Sequence, residues 1–152
     1  MGDGGPLHST SRFHEKAVSD DGKGLVGGFS RWLRKRAKSF AYAGRGLALI
    51  CSSQPNFQIH LVISGCAIAA SWFFQLSTIE WLIVLLTISF VLTIETVNSA
   101  LEKIVDLYQP DFHPLARDAK DLCAAAVLIA SSGALIVGVI LFAPRVLRAL
   151  AG

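Results

Sequence analysis

Three stretches of this chain, Leu61–Phe74, Trp81–Ile94 and Leu122–Pro144, contain no Lys, Arg, Asp or Glu. A helix rises about 1.5 Å per residue, so about 20 apolar residues cross a hydrocarbon core about 30 Å thick. Runs of this kind are too long for the interior of a 152-residue soluble domain and predict membrane spans. Composition agrees: 53% of residues are hydrophobic and 16% charged, against about 45–50% and about 25% in soluble domains. A transmembrane β-barrel would need many ten-residue alternating segments, which three continuous runs do not supply. The expected fold is all-α, an N-terminal amphipathic surface helix followed by three transmembrane helices per subunit in a helical bundle.

Local signals set the boundaries. The spans are expected at about 58–76, 79–107 and 119–143. Trp72, Phe73 and Phe74 suit the headgroup boundary of the first, and Glu80–Trp81 that of the second. Nothing breaks the helical pattern after Ile94, so the second span runs on, whereas Pro144 is expected to end the third. Ahead of them, at about 29–54, Phe29, Trp32, Leu33, Phe40, Tyr42, Leu47 and Leu49 interleave with Arg31, Arg34, Lys35, Arg36, Lys38 and Arg45. That pattern reads as an amphipathic helix on the cytoplasmic surface, its cations drawn to anionic headgroups.

Residues 1–28 are rich in Gly, Ser, Asp and His and carry no apolar signal-peptide core. They read as a solvated, disordered tail. Its charges nearly cancel, so it does not read as a nucleic-acid arm, and the +3 net charge of the chain is a membrane signal. Cys51, Cys66 and Cys123 are odd in number and lack metal-ligand spacing, so they are expected to be buried, inert thiols. Nine Lys and Arg flank the spans at 31–45 and 103–120, against only Arg145 and Arg148 beyond the third. The positive-inside rule then places the N-terminus and the second loop in the cytoplasm.

The stretch Glu95-Thr-Val-Asn98-Ser-Ala-Leu-Glu102-Lys-Ile-Val-Asp106 departs from the apolar pattern. At 100° per residue, Glu95, Asn98, Glu102 and Asp106 fall at about 0°, 300°, 340° and 20°, a single stripe over three turns. Charged side chains at membrane depth cost about 2.5–3.5 kcal/mol each on insertion scales. Like charges four residues apart also repel, so the row needs cations. Asp106 and part of Glu102 could emerge into water, or the stripe could clasp Lys120 or Arg117 of the third span. Glu95, directly after an apolar run, fits neither. Carboxylates with amide oxygens suit Mg²⁺, which usually arrives with phosphates. A carboxylate at the lipid edge suits a general base for a membrane-embedded hydroxyl, and Lys120, beside Asp121, could neutralise phosphate oxygens. No P-loop, nucleophile elbow or paired-cysteine motif is present.

The motif Glu95-x-x-Asn98-Ser99-Ala100-Leu101-Glu102-x-Ile104-Val105-Asp106 resembles the signature of the small prokaryotic diacylglycerol kinases, a family that includes undecaprenol kinases. Phe112-His113-x-Leu115-Ala116-x-x-Ala119-Lys120-Asp121-x-x-Ala124-Ala125-Ala126-Val127-Leu128 follows at matching spacing. Upstream, Lys38-Ser-Phe-x-Tyr42-Ala43-x-x-Gly46 and Asn56-Phe57-x-Ile59-His60 are similar to the family's surface helix and its entry to the first span. The resemblance covers roughly residues 35–143.

It implies that 29–152 is a membrane-embedded lipid kinase domain. It implies a homotrimer whose active sites are shared between neighbours, transferring phosphoryl from Mg²⁺-ATP to a lipid alcohol such as diacylglycerol. Carried over, Glu95 is the catalytic base and Asn98 positions it or the ATP. Glu102 coordinates metal beside the β- and γ-phosphates, and Lys35, Tyr42, Asp111, Phe112, His113, Lys120 and Asp121 contact the nucleotide. The family's second metal position, commonly glutamate, is Gln54 here; its carbonyl oxygen can ligate Mg²⁺ but brings no charge. His60 and His113 read as hydrogen-bonding residues rather than metal ligands. Undecaprenol is the competing acceptor. A proton or ion transporter with an acid relay, and a non-catalytic relative that has lost a metal position at Gln54, are the other classes.

Overall fold

The computed structural model describes residues 10–152, with side chains from residue 31 onward. Four helices follow one another: α1 Thr10–Ser53, α2 Pro55–Phe73, α3 Thr78–Tyr108 and α4 Pro114–Ala151. Residues 1–9 of the expected tail lie outside the described residues, and residues 10–28 form the first part of α1 rather than a separate segment. No proline falls between Pro6 and Pro55, so nothing in that interval sterically interrupts a helix. The chain divides into two units after Leu47. In the first, the Arg45 guanidinium lies 4.7 Å from the Tyr42 ring centroid, and that of Arg36 lies 5.4 Å from Trp32.

The second unit holds the three expected spans, each long and apolar enough to cross a membrane. The 19 residues of α2 reach about 28 Å, close to one hydrocarbon thickness. Pro55 occupies its first turn, where a missing N–H costs no intrahelical bond. At the other end Gln75 N–H donates to Trp72 O and Leu76 N–H to Ser71 O, both at 3.1 Å, with Gln75 at φ 50°. This is a Schellman closure in which glutamine holds the left-handed position usually given to glycine. It drives Leu76 inward onto Val84 and Leu141. Ser77 then starts α3 through a reciprocal capping box with Glu80.

α3 packs against both α2 and α4. Ion pairs join α3 and α4 near both ends, Glu80 with Arg145 at 2.7 Å and Asp106 with Lys120. The second is the clasp foreseen for the acid stripe. The first gives Arg145, one of the two arginines beyond the third span, an ionic partner; Arg145 also donates to the Leu141 carbonyl, and Arg148 to that of Pro144. Contrary to expectation, α4 continues through Pro144 to Ala151. Proline removes one N–H from the ladder, the one directed at the Ile140 carbonyl, and the helix carries that single loss.

Leu86, Phe90, Ile129, Leu135 and Ile140 are exposed on the unit, as a lipid-facing surface requires. Trp72 and Phe73 are exposed as well, at the expected boundary. The three cysteines are free, but Cys66 is exposed and Cys51 and Cys123 only half-buried. The expectation of buried thiols fails because three helices cover only a narrow seam between them, leaving most spanning residues facing outward.

Candidate active site

The seam is polar at one end. Counting from Thr78, Glu95 lies about 26 Å along α3 and Asn98 about 30 Å, so the carboxylate sits just inside the hydrocarbon limit and the amide at it. Glu95 is 1% exposed, Ser99 3% and Asn98 5%, among the most buried polar side chains described. Burying polar groups at this depth is expensive unless they are paired. Yet Glu95 Oε2, Asn98 Oδ1 and Ser99 Oγ have no hydrogen-bond partner among the described residues. Buried polar atoms of folded proteins are usually hydrogen-bonded, so these oxygens, like the Ser131 hydroxyl, stand out.

Asn98 is not idle. Its Nδ2 donates to Glu102 Oε1 at 3.1 Å across one helical turn. The amide N–H₂ thereby aims the Glu102 carboxylate, while its own carbonyl oxygen stays uncommitted. A turn further, Asp106 takes Lys120. The stripe read from helical periodicity therefore divides by depth: Glu95 and Asn98 are buried, Glu102 half-buried and Asp106 exposed.

The other expected site residues are placed as follows. Lys120 is engaged by Asp106, and Asp121 pairs with Arg117 at 3.7 Å on the exposed face of α4. Asp111, Phe112 and His113 form the exposed α3–α4 connection. There Gln109 donates to the Asp111 carbonyl, and His113 Nδ1 accepts from Leu115 N–H as the N-cap of α4. Gln54 is the half-buried N-cap residue of α2, but its side chain makes no capping bond. Lys35 and Tyr42 belong to the first unit, where the Lys35 carbonyl accepts from Ser39 Oγ.

A divalent cation can be tested against the donors present. Glu102, the free carbonyl oxygen of Asn98 and the carbonyl of Gln54 are all hard oxygen donors, the kind that Mg²⁺ prefers. Among the described residues, no group of three or more His, Cys, Asp or Glu could hold an ion on its own.

Fold and site together define a three-span membrane protein with a buried acid–amide centre at one membrane boundary. Its sequence matches the family described as prokaryotic diacylglycerol kinase over residues 41–142. It is 36% identical to the undecaprenol kinase of Bacillus subtilis (strain 168) over 113 residues, 74% of this chain and 92% of that protein. Identity to the diacylglycerol kinase of a Synechocystis strain is 39% over 110 residues, 72% of this chain and 63% of that protein. Identity to the diacylglycerol kinase of Escherichia coli (strain K12) is 30% over 103 residues, 68% and 81% of the two chains. The chain belongs to the prokaryotic diacylglycerol kinase family, a family of membrane lipid kinases.

Proposed function

We propose that this protein transfers the γ-phosphoryl group of Mg²⁺-ATP to the hydroxyl of diacylglycerol, giving phosphatidic acid at the cytoplasmic face of the membrane. The observation that carries this reading is the buried Glu95 carboxylate with its unpartnered Oε2, one turn from the Asn98–Glu102 hydrogen bond. A lipid alcohol reaches the hydrocarbon boundary from the bilayer and a nucleotide from water, and Glu95 stands where the two solvents meet. Its carboxylate takes the acceptor's hydroxyl proton as the acceptor oxygen bonds to the γ-phosphorus. The bond from that phosphorus to the β–γ bridging oxygen breaks, and ADP leaves.

Phosphoryl transfer asks a protein chiefly to position groups and neutralise charge. Asn98 holds Glu102 in place toward the phosphates, and Lys120 and Asp121 flank the same end of the seam. A magnesium ion bound by Glu102, with Gln54 and the phosphates, would offset charge on the β- and γ-oxygens. Lys35, Tyr42 and the Asp111–His113 connection are the remaining candidates for contacts to ATP. Basic flanks at 31–45 and 103–120 support a cytoplasmic placement of this end. The orphaned atoms of the site support completion by neighbouring copies in a homotrimer.

Undecaprenol is the second reading, favoured by the Bacillus subtilis relative, 92% of whose length is matched. Protein in lipid nanodiscs with labelled ATP and Mg²⁺, offered each alcohol separately, tests both. Label is expected in phosphatidic acid; label confined to undecaprenyl phosphate would replace the acceptor, and label in neither would remove the kinase reading. A related expectation concerns Gln54. Replacing it with glutamate adds a charged oxygen donor, so Gln54→Glu should lower the Mg²⁺ concentration for half-maximal transfer by about tenfold, as a charge-assisted contact would. An unchanged Mg²⁺ titration would remove Gln54 from the metal set.

A further inference from the structure

The two ion pairs between α3 and α4 fix how these helices face each other. Asp106 meets Lys120 at one end and Glu80 meets Arg145 at the other. Eleven residues make three helical turns to within about 20°, so a face in contact returns at that spacing. Glu95 lies 11 residues inward from Asp106, and Ser131 lies 11 inward from Lys120. The other end agrees: 14 residues inward from Arg145 and from Glu80 bring Ser131 level with Ile94. Val84 and Leu141, which pack together, keep the same register in between. Ser131 therefore faces Glu95 across the seam, at a depth that matches to within about one residue's rise.

Neither group is bonded. The buried oxygens without a partner among the described residues are Glu95 Oε2, Asn98 Oδ1 and Ser99 Oγ on α3, and Ser131 Oγ on α4. The buried or half-buried hydroxyls of Ser64, Ser71 and Thr87 donate to the carbonyl four residues back in their own helices. Ser131 makes no such bond, although a hydroxyl left unpaired in hydrocarbon is costly. Ser131 also borders a cavity of about 640 Å³ between α2, α3 and α4. The wall of that cavity is mostly apolar and includes neither Glu95 nor Ser99, so a polar group entering from it meets Ser131 first.

We propose that Ser131 binds the hydroxyl of the acceptor lipid: the serine O–H donates to the acceptor's oxygen, and the acceptor's own O–H donates to Glu95 Oε2. A carboxylate accepts and a serine hydroxyl donates, so a facing pair not bonded to each other is satisfied by one group that does both, an alcohol O–H. This rests on the lipid kinase reading and adds to it a residue of α4 that holds the reacting oxygen against the base.

The test compares Ser131→Ala and Ser131→Thr with the unaltered protein in nanodiscs, measuring KM separately for dioleoylglycerol and for ATP. Losing one hydrogen bond to the acceptor should raise the lipid KM about tenfold in Ser131→Ala, with KM for ATP changed less than about twofold. Ser131→Thr keeps the hydroxyl and should stay within about threefold of the unaltered protein. A second probe is dioleoyl-propanediol, the same lipid without its hydroxyl, used as an inhibitor. Its inhibition constant should be equal for Ser131→Ala and the unaltered protein, because it lacks the group that the serine holds. An unchanged lipid KM, a parallel rise in KM for ATP, or a folded threonine variant as impaired as alanine would overturn the contact. So would an inhibition constant that rises with the lipid KM, which would set Ser131 against another part of the lipid. A fall in kcat alone would give the place to a bound water and overturn it too. If the unaltered protein phosphorylates no lipid alcohol, the kinase reading falls and this contact with it, whereas normal transfer with unaffected variants removes only the role of Ser131.

Discussion

Glu95→Gln should reduce phosphoryl transfer by about 10²–10⁴-fold, the usual contribution of a positioned general base. Glutamine keeps the size and the polarity of the side chain but cannot take the proton, so the effect should fall on kcat and leave KM for ATP nearly unchanged. Glu95 is 1% exposed and packed in the seam between helices, so a polar isostere separates the chemistry from the packing. An apolar replacement would confound the two by changing what fills the seam. Labelled-ATP transfer, with the unfolding temperature as a control, measures it. Transfer within about tenfold of normal from folded Glu95→Gln would show that another group takes the proton.

Asn98 should give the second large effect, by a different route. Its Nδ2 donates to Glu102 Oε1 at 3.1 Å, and hydrogen bonds to charged groups are worth about 1.5–3 kcal/mol. Asn98→Ala leaves the Glu102 carboxylate without that donor and should slow transfer about 10–100-fold, with a higher Mg²⁺ requirement. Asn98→Asp should be worse than alanine, because it sets a second carboxylate against the first across one turn, where like charges repel. Measuring kcat over a Mg²⁺ titration for both variants checks this order. If alanine and aspartate prove equally mild, Asn98 is not aiming Glu102.

The spans were legible because their signal is chemical and local. Stretches free of charge must leave water wherever they fold, so Trp81–Ile94 and Leu122–Pro144 fall inside spanning helices and Leu61–Phe74 does so up to its last residue, the C-cap of α2. The acid stripe was legible for the same reason: 100° per residue puts Glu95, Asn98 and Glu102 on one side of α3 whatever surrounds it. Pro144 misled because its effect depends on surroundings. A single proline removes only one N–H from the ladder, and here the helix continues past it to Ala151. The cysteines misled because apolar neighbours in a membrane chain need not mean burial by protein.

The sequence by itself determined the solvent of each segment, the helical class, and the face on which the acids lie, since hydrophobicity and helical pitch are properties of consecutive residues. Tertiary structure decided which of those polar groups are engaged. Asp106 and Lys120 lie 14 residues apart, and Glu80 and Arg145 lie 65 apart, yet both pairs meet across α3 and α4. It also decided that Glu95 and Asn98 keep oxygens without a partner among the described residues. These are long-range facts. They depend on which helix faces pack together, and no pattern within a single helix can specify the groups that a neighbouring helix brings.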